Sequence, residues 1–103
     1  MIEHNVFFRI KKEIDLEGLK EISRQFTALQ GVIPGLVEVS SGINITGDPV
    51  YGKDYNLGLR MLFASQADLE AYVVHPLHTE ISNKVSAVME TAAVCDFISE
   101  KAR

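Results

Sequence analysis

Tyr72-Val73-Val74-His75-Pro76-Leu77-His78 ends one helix and begins another within seven residues. Proline crowds the residue before it out of helical geometry, so His75 must leave the helix. A proline is well accommodated in the first helical turn, so the chain can re-enter a helix at once. Upstream, Ser65-Gln66-Ala67-Asp68 has the pattern of an N-cap followed by an acidic residue at the third helical position. It opens a short helix bearing Leu69, Tyr72 and Val73. Downstream, Leu77, Ile81, Val85, Val88, Met89 and Ala92 give an apolar stripe at helical spacing. One helical region, broken at His75-Pro76, is the reading.

The rest of the chain arranges itself around that region. Residues 3–11 alternate, with His4, Val6, Phe8 and Ile10 on one side and Glu3, Asn5, Arg9 and Lys11 on the other. That is a half-buried strand with Phe7 as an apolar exception on its polar side. Asp15 is placed to cap a helix in which Leu16, Leu19, Ile22, Phe26, Leu29 and Ile33 recur every three or four residues. Pro34-Gly35 ends it. Leu36 to Ile45 reads as a second strand, with a bulge or bend invited by Ser40-Ser41-Gly42. Residues 46–54 are loop by composition. Leu57, Leu59, Met61 and Phe63 alternate in a third strand, and Ala93 to Ile98 closes the sheet before a polar tail, Ser99 to Arg103.

The order is β-α-β-β-α-β, the ferredoxin-like arrangement of an α+β domain with a four-stranded antiparallel sheet. At 103 residues the chain is read as one domain, residues 1–103. With helices on one face only, the other face stays bare. Phe7 and Leu62 belong there, with Val37 and Val39 or Leu36 joining according to register. An uncovered apolar sheet face marks an interface, and pairing two such faces predicts a homodimer with two-fold symmetry.

Charge excludes several function classes. Ten basic against fourteen acidic residues leave a formal charge of −4, the wrong sign for nucleic acid or an anionic membrane surface. No apolar run approaches a membrane span. The N-terminus, Met1 to Asn5, has neither region of a signal peptide, and Cys95 is the single cysteine. A soluble, cytoplasmic protein is expected, with Cys95 an inert thiol buried in the closing strand. Gly47 to Lys53 has the glycine and lysine spacing of a phosphate-binding loop, but Asp54 stands where serine or threonine should hold magnesium and a strand pattern follows instead of a helix. It is read as a plain loop. Asn44-Ile45-Thr46 is a formal glycosylation sequon without a secretory signal.

Four markers together resemble a known family: His4 opening the first strand, Ile33-Pro34-Gly35 after the first helix, Tyr72 with His75-Pro76-x-His78, and Asp96-Phe97 in the last strand. They resemble the stress-response A/B barrel family, also called Dabb or dimeric α/β barrel. The resemblance runs through almost the whole chain and implies a ferredoxin-like protomer whose sheet pairs with that of a second copy. It includes plant stress proteins, bacterial proteins of unknown role and a plant polyketide cyclase. In that cyclase a tyrosine on the short helix and the second histidine of His-Pro-x-His are the catalytic pair, so the resemblance implies catalytic roles for Tyr72 and His78. It also implies that His4, Val6, Phe8, Ile22, Phe26, Leu59 and Met61 line a ligand pocket between sheet and helices. Val73 and His75, between Tyr72 and His78 in sequence, are counted with them as ligand-contact candidates. Leu57 stands where the cyclase has a histidine and Phe26 where it has a tyrosine, so its substrate does not carry over.

The residue chemistry suits this reading. A histidine can take a proton from carbon beside a carbonyl, and a tyrosine hydroxyl can hydrogen-bond the oxygen on which charge develops. A bland alternative has Tyr72 filling the core and His78 bonding a carbonyl at the helix break. His75 caps or staples that break, and His4 is expected to pair with Asp96 on the neighbouring strand. His75 and His78, with Glu80, Asp96 or His4, fall short of the three or four well-placed ligands a zinc site needs, so neither metal nor cofactor is expected. Three functions remain open. The first is a homodimer binding a small apolar or aromatic ligand beside Tyr72 and His78, with cofactor-independent cyclase- or isomerase-like proton abstraction. The second is a non-enzymatic stress-related structural or interaction protein, and the third a cofactor-independent monooxygenase of the dimeric α/β barrel type.

Overall fold

Alternation in the first strand is realised residue by residue. In the computed structural model, which describes residues 1–100, β1 (Ile2–Ile10) buries Ile2, His4, Val6, Phe8 and Ile10 and turns Glu3, Asn5, Phe7 and Arg9 to the other side. The polar tail expected from Ser99 falls partly outside the described residues, at 101–103. Asp15 caps α1 (Leu16–Thr27), its carboxylate accepting the Gly18 backbone N–H at 2.9 Å. Glu17 in the first turn and Arg24 in the last both complement the helix dipole.

The helical periodicity outlasts the helix. Leu29 and Ile33 are buried as expected, but α1 stops at Thr27 and both residues sit in the turns that follow. Gly31, at φ +82°, breaks the helical path between them. Gly35, at φ +79°, then turns the chain into β2 (Leu36–Ile43). That strand is irregular at its start rather than at Ser40-Ser41-Gly42, where the bulge was expected. The register shifts between Leu36 and Glu38, which sends Leu36 and Val39 into the core and leaves Val37 exposed on the open face.

β3 (Leu57–Phe63) alternates as expected and holds the most deeply buried apolar side chains, Leu57, Met61 and Phe63 among them. Ser65 caps α2 (Gln66–Val73), accepting from the Asp68 N–H at 3.2 Å while its own hydroxyl donates to the Asp68 carboxylate at 2.9 Å. The break then falls where Pro76 demands it. His75 is extended, its Nδ1 accepts the Leu77 N–H at 3.1 Å, and Pro76 starts α3 (Pro76–Ser86). The stripe continued to Ala92 in the sequence, yet α3 ends at Ser86 and β4 (Met89–Ile98) begins earlier than residue 93. Met89 pairs with Ile10 and Ala92 with Phe8, so cross-strand pairing claims residues whose spacing also suits a helix.

The strands lie in the order β2-β3-β1-β4, and every adjacent pair is antiparallel. This is the ferredoxin-like α+β fold, with three helices because the second helical region is split. The core lies between sheet and helices. On the open face Phe7 is 48% exposed, and Val37 and Phe97 are exposed as well. Arg60 crosses this face and grips Glu3 with two bonds of 2.8 Å. Cys95 corrects an expectation: it is exposed, paired across the ladder with Asn5 on the open face. A sheet covered on one side buries alternate residues only, and Cys95 has the outward parity. No helix among the described residues is long and apolar enough to cross a membrane.

Candidate functional site

The break at His75-Pro76 brings Tyr72 and His78 together. They are six positions apart on different helices, yet their ring centroids lie 4.5 Å apart at 56°. Tyr72 belongs to the last turn of α2 and points into the core against Phe63 (5.3 Å) and His4 (6.1 Å). It is only 2% exposed. Burial pushes its hydroxyl up to about 12, so it is a neutral phenol at ordinary pH. Its hydroxyl takes no hydrogen-bond partner among the described residues.

His78 sits on the first turns of α3. Its Nδ1 lies 2.9 Å from the Val73 carbonyl, the last helical residue of α2. A carbonyl can only accept, so the bond places a proton on Nδ1. In the neutral ring Nε2 then carries the lone pair. The arrangement is that of an oriented base, with the orienting group supplied by the end of the neighbouring helix. His4 forms a second oriented pair, donating from Nδ1 to the Asp96 carboxylate at 2.5 Å across the β1–β4 ladder. This is the partner that the sequence pointed to.

A cavity of about 360 Å³ opens beside these groups. His4, Val6, Phe8, Phe26, Leu59, Tyr72, Val73 and His78 all line it. Phe8 and Phe26 stack at 5.6 Å within this lining. Three of the sequence candidates stand elsewhere: Met61 is fully buried in the core, Ile22 packs on the core from α1, and His75 caps α3. The cavity also takes Ser82, Val85 and Ser86 from α3 and Met89, Ala92, Val94 and Asp96 from β4. Ser82 and Ser86 were legible in principle, since they follow His78 at intervals of four residues on one helix face. Met89 and Ala92 were hidden by the misplaced boundary between α3 and β4, whereas Val94 and Asp96 lay within the expected strand.

The lining is mostly apolar. His4, Tyr72, His78 and Asp96 gather where β1, β4, α2 and α3 meet, Ser82 and Ser86 follow along α3, and no lysine or arginine is among the residues that line it. Such a site can bind an apolar molecule and present a hydrogen-bond donor and a base to one end of it. No three His, Cys, Asp or Glu side chains gather into a metal-binding group among the described residues.

A family model described as the stress responsive A/B barrel domain matches residues 2–99. Among solved structures, a protein from Arabidopsis thaliana superposes with a TM-score of 0.88 at 16% identity, covering 100% of this chain and 99% of that one. The hydroxynitrile lyase of Passiflora edulis gives 0.84 at 19% identity, covering 99% and 95%. A dimeric ferredoxin-like protein of unknown function from Jannaschia sp. gives 0.80 at 24% identity, covering 95% and 98%. At these identities the likeness is one of fold. No curated protein matches significantly.

Proposed function

The chain belongs to the stress responsive A/B barrel domain family, and from that premise we propose that it is a homodimer whose cavity binds a small, largely apolar carbonyl compound beside Tyr72 and His78. The observation that carries this reading is the pair itself. An imidazole oriented by the Val73 carbonyl and a phenol ring lie with their centroids 4.5 Å apart, and both line an apolar cavity. With the carbonyl oxygen at Tyr72, Nε2 of His78 removes a proton from the adjacent carbon. The charge that gathers on oxygen is met by the Tyr72 hydroxyl. The imidazolium that forms still donates from Nδ1 to the Val73 carbonyl. The enolate is then free to attack a second carbonyl or to take the proton back at another carbon, which is cyclisation or isomerisation. Dimerisation is supported by the apolar side chains left on the open sheet face and by the dimeric description of a neighbour of the same fold.

A second reading draws on the same geometry. Tyr72 is almost fully buried and the His78–Val73 bond staples α3 to α2, so both side chains brace the helix junction. A thermal-shift screen of aromatic ketones on wild type, Tyr72→Phe and His78→Ala separates the two. The binding reading expects ligand affinity to fall at least tenfold in His78→Ala. Its stability should drop only by what one hydrogen bond is worth, about 1 kcal/mol. If both variants melt far below wild type and no ketone stabilises any of the three proteins, the bracing role stands and the binding reading fails.

A further inference from the structure

The cavity has a direction. At one end lie His4, Asp96, Tyr72 and His78; at the other lie Phe8, Met89 and Ser86. Along β1 the four steps from His4 to Phe8 span about 13 Å, and along α3 the eight steps from His78 to Ser86 span about 12 Å. The two lengths match, so the cavity is a trough with a strand for its floor and α3 for one wall. On that wall His78, Ser82 and Ser86 present a polar atom every fourth residue, about 6 Å apart.

Ser82 is half-buried and Ser86 exposed, so both hydroxyls are open to exchange water for a ligand. A hydroxyl inside a helix commonly turns back to the carbonyl four residues earlier, and Thr79 on α3 does so with His75 at 3.4 Å. Neither Ser82 nor Ser86 has a side-chain hydrogen-bond partner among the described residues, although both line the trough. Charge narrows what they can serve. The trough is lined by the Asp96 carboxylate and by no lysine or arginine, so an anionic ligand would lose its hydration without gaining a counter-charge.

We propose that Ser82 and Ser86 are specificity-determining residues that select neutral, elongated carbonyl compounds bearing a second oxygen one or two helical turns from the carbonyl. Ser82 reads the nearer oxygen and Ser86 the farther. The assignment rests on Tyr72 and His78 holding the carbonyl end. Beyond the His4–Asp96 pair at the carbonyl end, the floor contributes only apolar contact, from Val6, Phe8 and Leu59. Discrimination by hydrogen bonding therefore falls to the α3 wall.

Calorimetry with four probes tests this at mildly acidic pH, where their phenols are neutral: acetophenone, para-hydroxyacetophenone, para-acetylbiphenyl, and para-acetylbiphenyl with a hydroxyl at the far para position. In the wild type each hydroxyl should tighten binding about three- to tenfold over its parent, the worth of one net hydrogen bond. Ser82→Ala should erase that gain for the short probe and leave acetophenone unchanged. Ser86→Ala should do the same for the long probe, and Thr79→Ala should alter neither. If the hydroxylated probes bind wild type no better than their parents, or if both serine variants weaken all four equally, the selection by serines is wrong while the carbonyl site survives. If none of the four binds wild type, the carbonyl end at Tyr72 and His78 falls, and the serine assignment falls with it.

Discussion

Tyr72 lines an apolar trough, and the same burial that packs its ring keeps its proton on. A tyrosine in the unfolded chain ionises near pH 10, whereas Tyr72 in the folded protein does so at about 12. Below the lower value both states hold the proton and the contribution of Tyr72 is complete. Between the two values only the unfolded chain releases it, so stability falls as pH rises, by about 2–3 kcal/mol over the interval. Melting temperatures between about pH 9 and pH 12 should therefore decline more steeply for wild type than for Tyr72→Phe. Parallel curves would mean that the hydroxyl is not desolvated. The residue types that matter here were visible in the sequence: Tyr72, His78, and the pairing of His4 with Asp96. That His78 bonds a carbonyl at the helix break was legible as well; what stayed hidden was that this carbonyl belongs to Val73 and that the bond turns the ring toward Tyr72.

At the scale of elements, capping chemistry was more legible than periodicity. Asp15, Ser65 and His75 cap the three helices, and Pro76 opens the third where its fixed φ belongs. The ends of α1 and α3 were not legible. Apolar spacing of three or four persists through the turns after Thr27 and into β4, since those residues still face the same core. Gly35 shows how tightly such junctions are built. It needs a positive φ, and a Cβ placed there would lie 2.2 Å from the Asp68 carboxyl carbon at the start of α2. Gly31 has the same φ with nothing within 4 Å of that position. Gly35→Ala should cost about 2–4 kcal/mol, from strain and overpacking together. Gly31→Ala should cost only about 1–2 kcal/mol from strain. Denaturant titration of the two variants checks the order, and equal losses would show that Asp68 simply moves aside.

For the whole molecule, the open sheet face is the feature that asks for a second copy. It is not uniformly apolar. Phe7, Leu62, Val37, Ala93 and Phe97 surround the Arg60–Glu3 pair, and Arg60 also reaches Glu38 at 3.5 Å. The Arg60 guanidinium holds the Glu3 carboxyl below the usual carboxylate range, so the pair remains charged at neutral pH and satisfied within one protomer. On the homodimer reading, Phe7→Glu should give a monomer by light scattering at micromolar concentration with the circular dichroism of the wild type. A dimer of undiminished stability would place the interface elsewhere. From the sequence alone came the kind and order of the elements, the breaks between them, and the side of β1 and β3 that faces the core, because periodicity and turn chemistry are local; the facing of β2 and of Cys95 in β4 did not. Only the tertiary structure decided which residues meet. His4 and Asp96 lie 92 positions apart, and Ser82 and Ser86 face a trough whose floor comes from β1. A repeating pattern encodes which face of an element is buried, but the register between strands and the packing of α3 on the sheet determine what it is buried against.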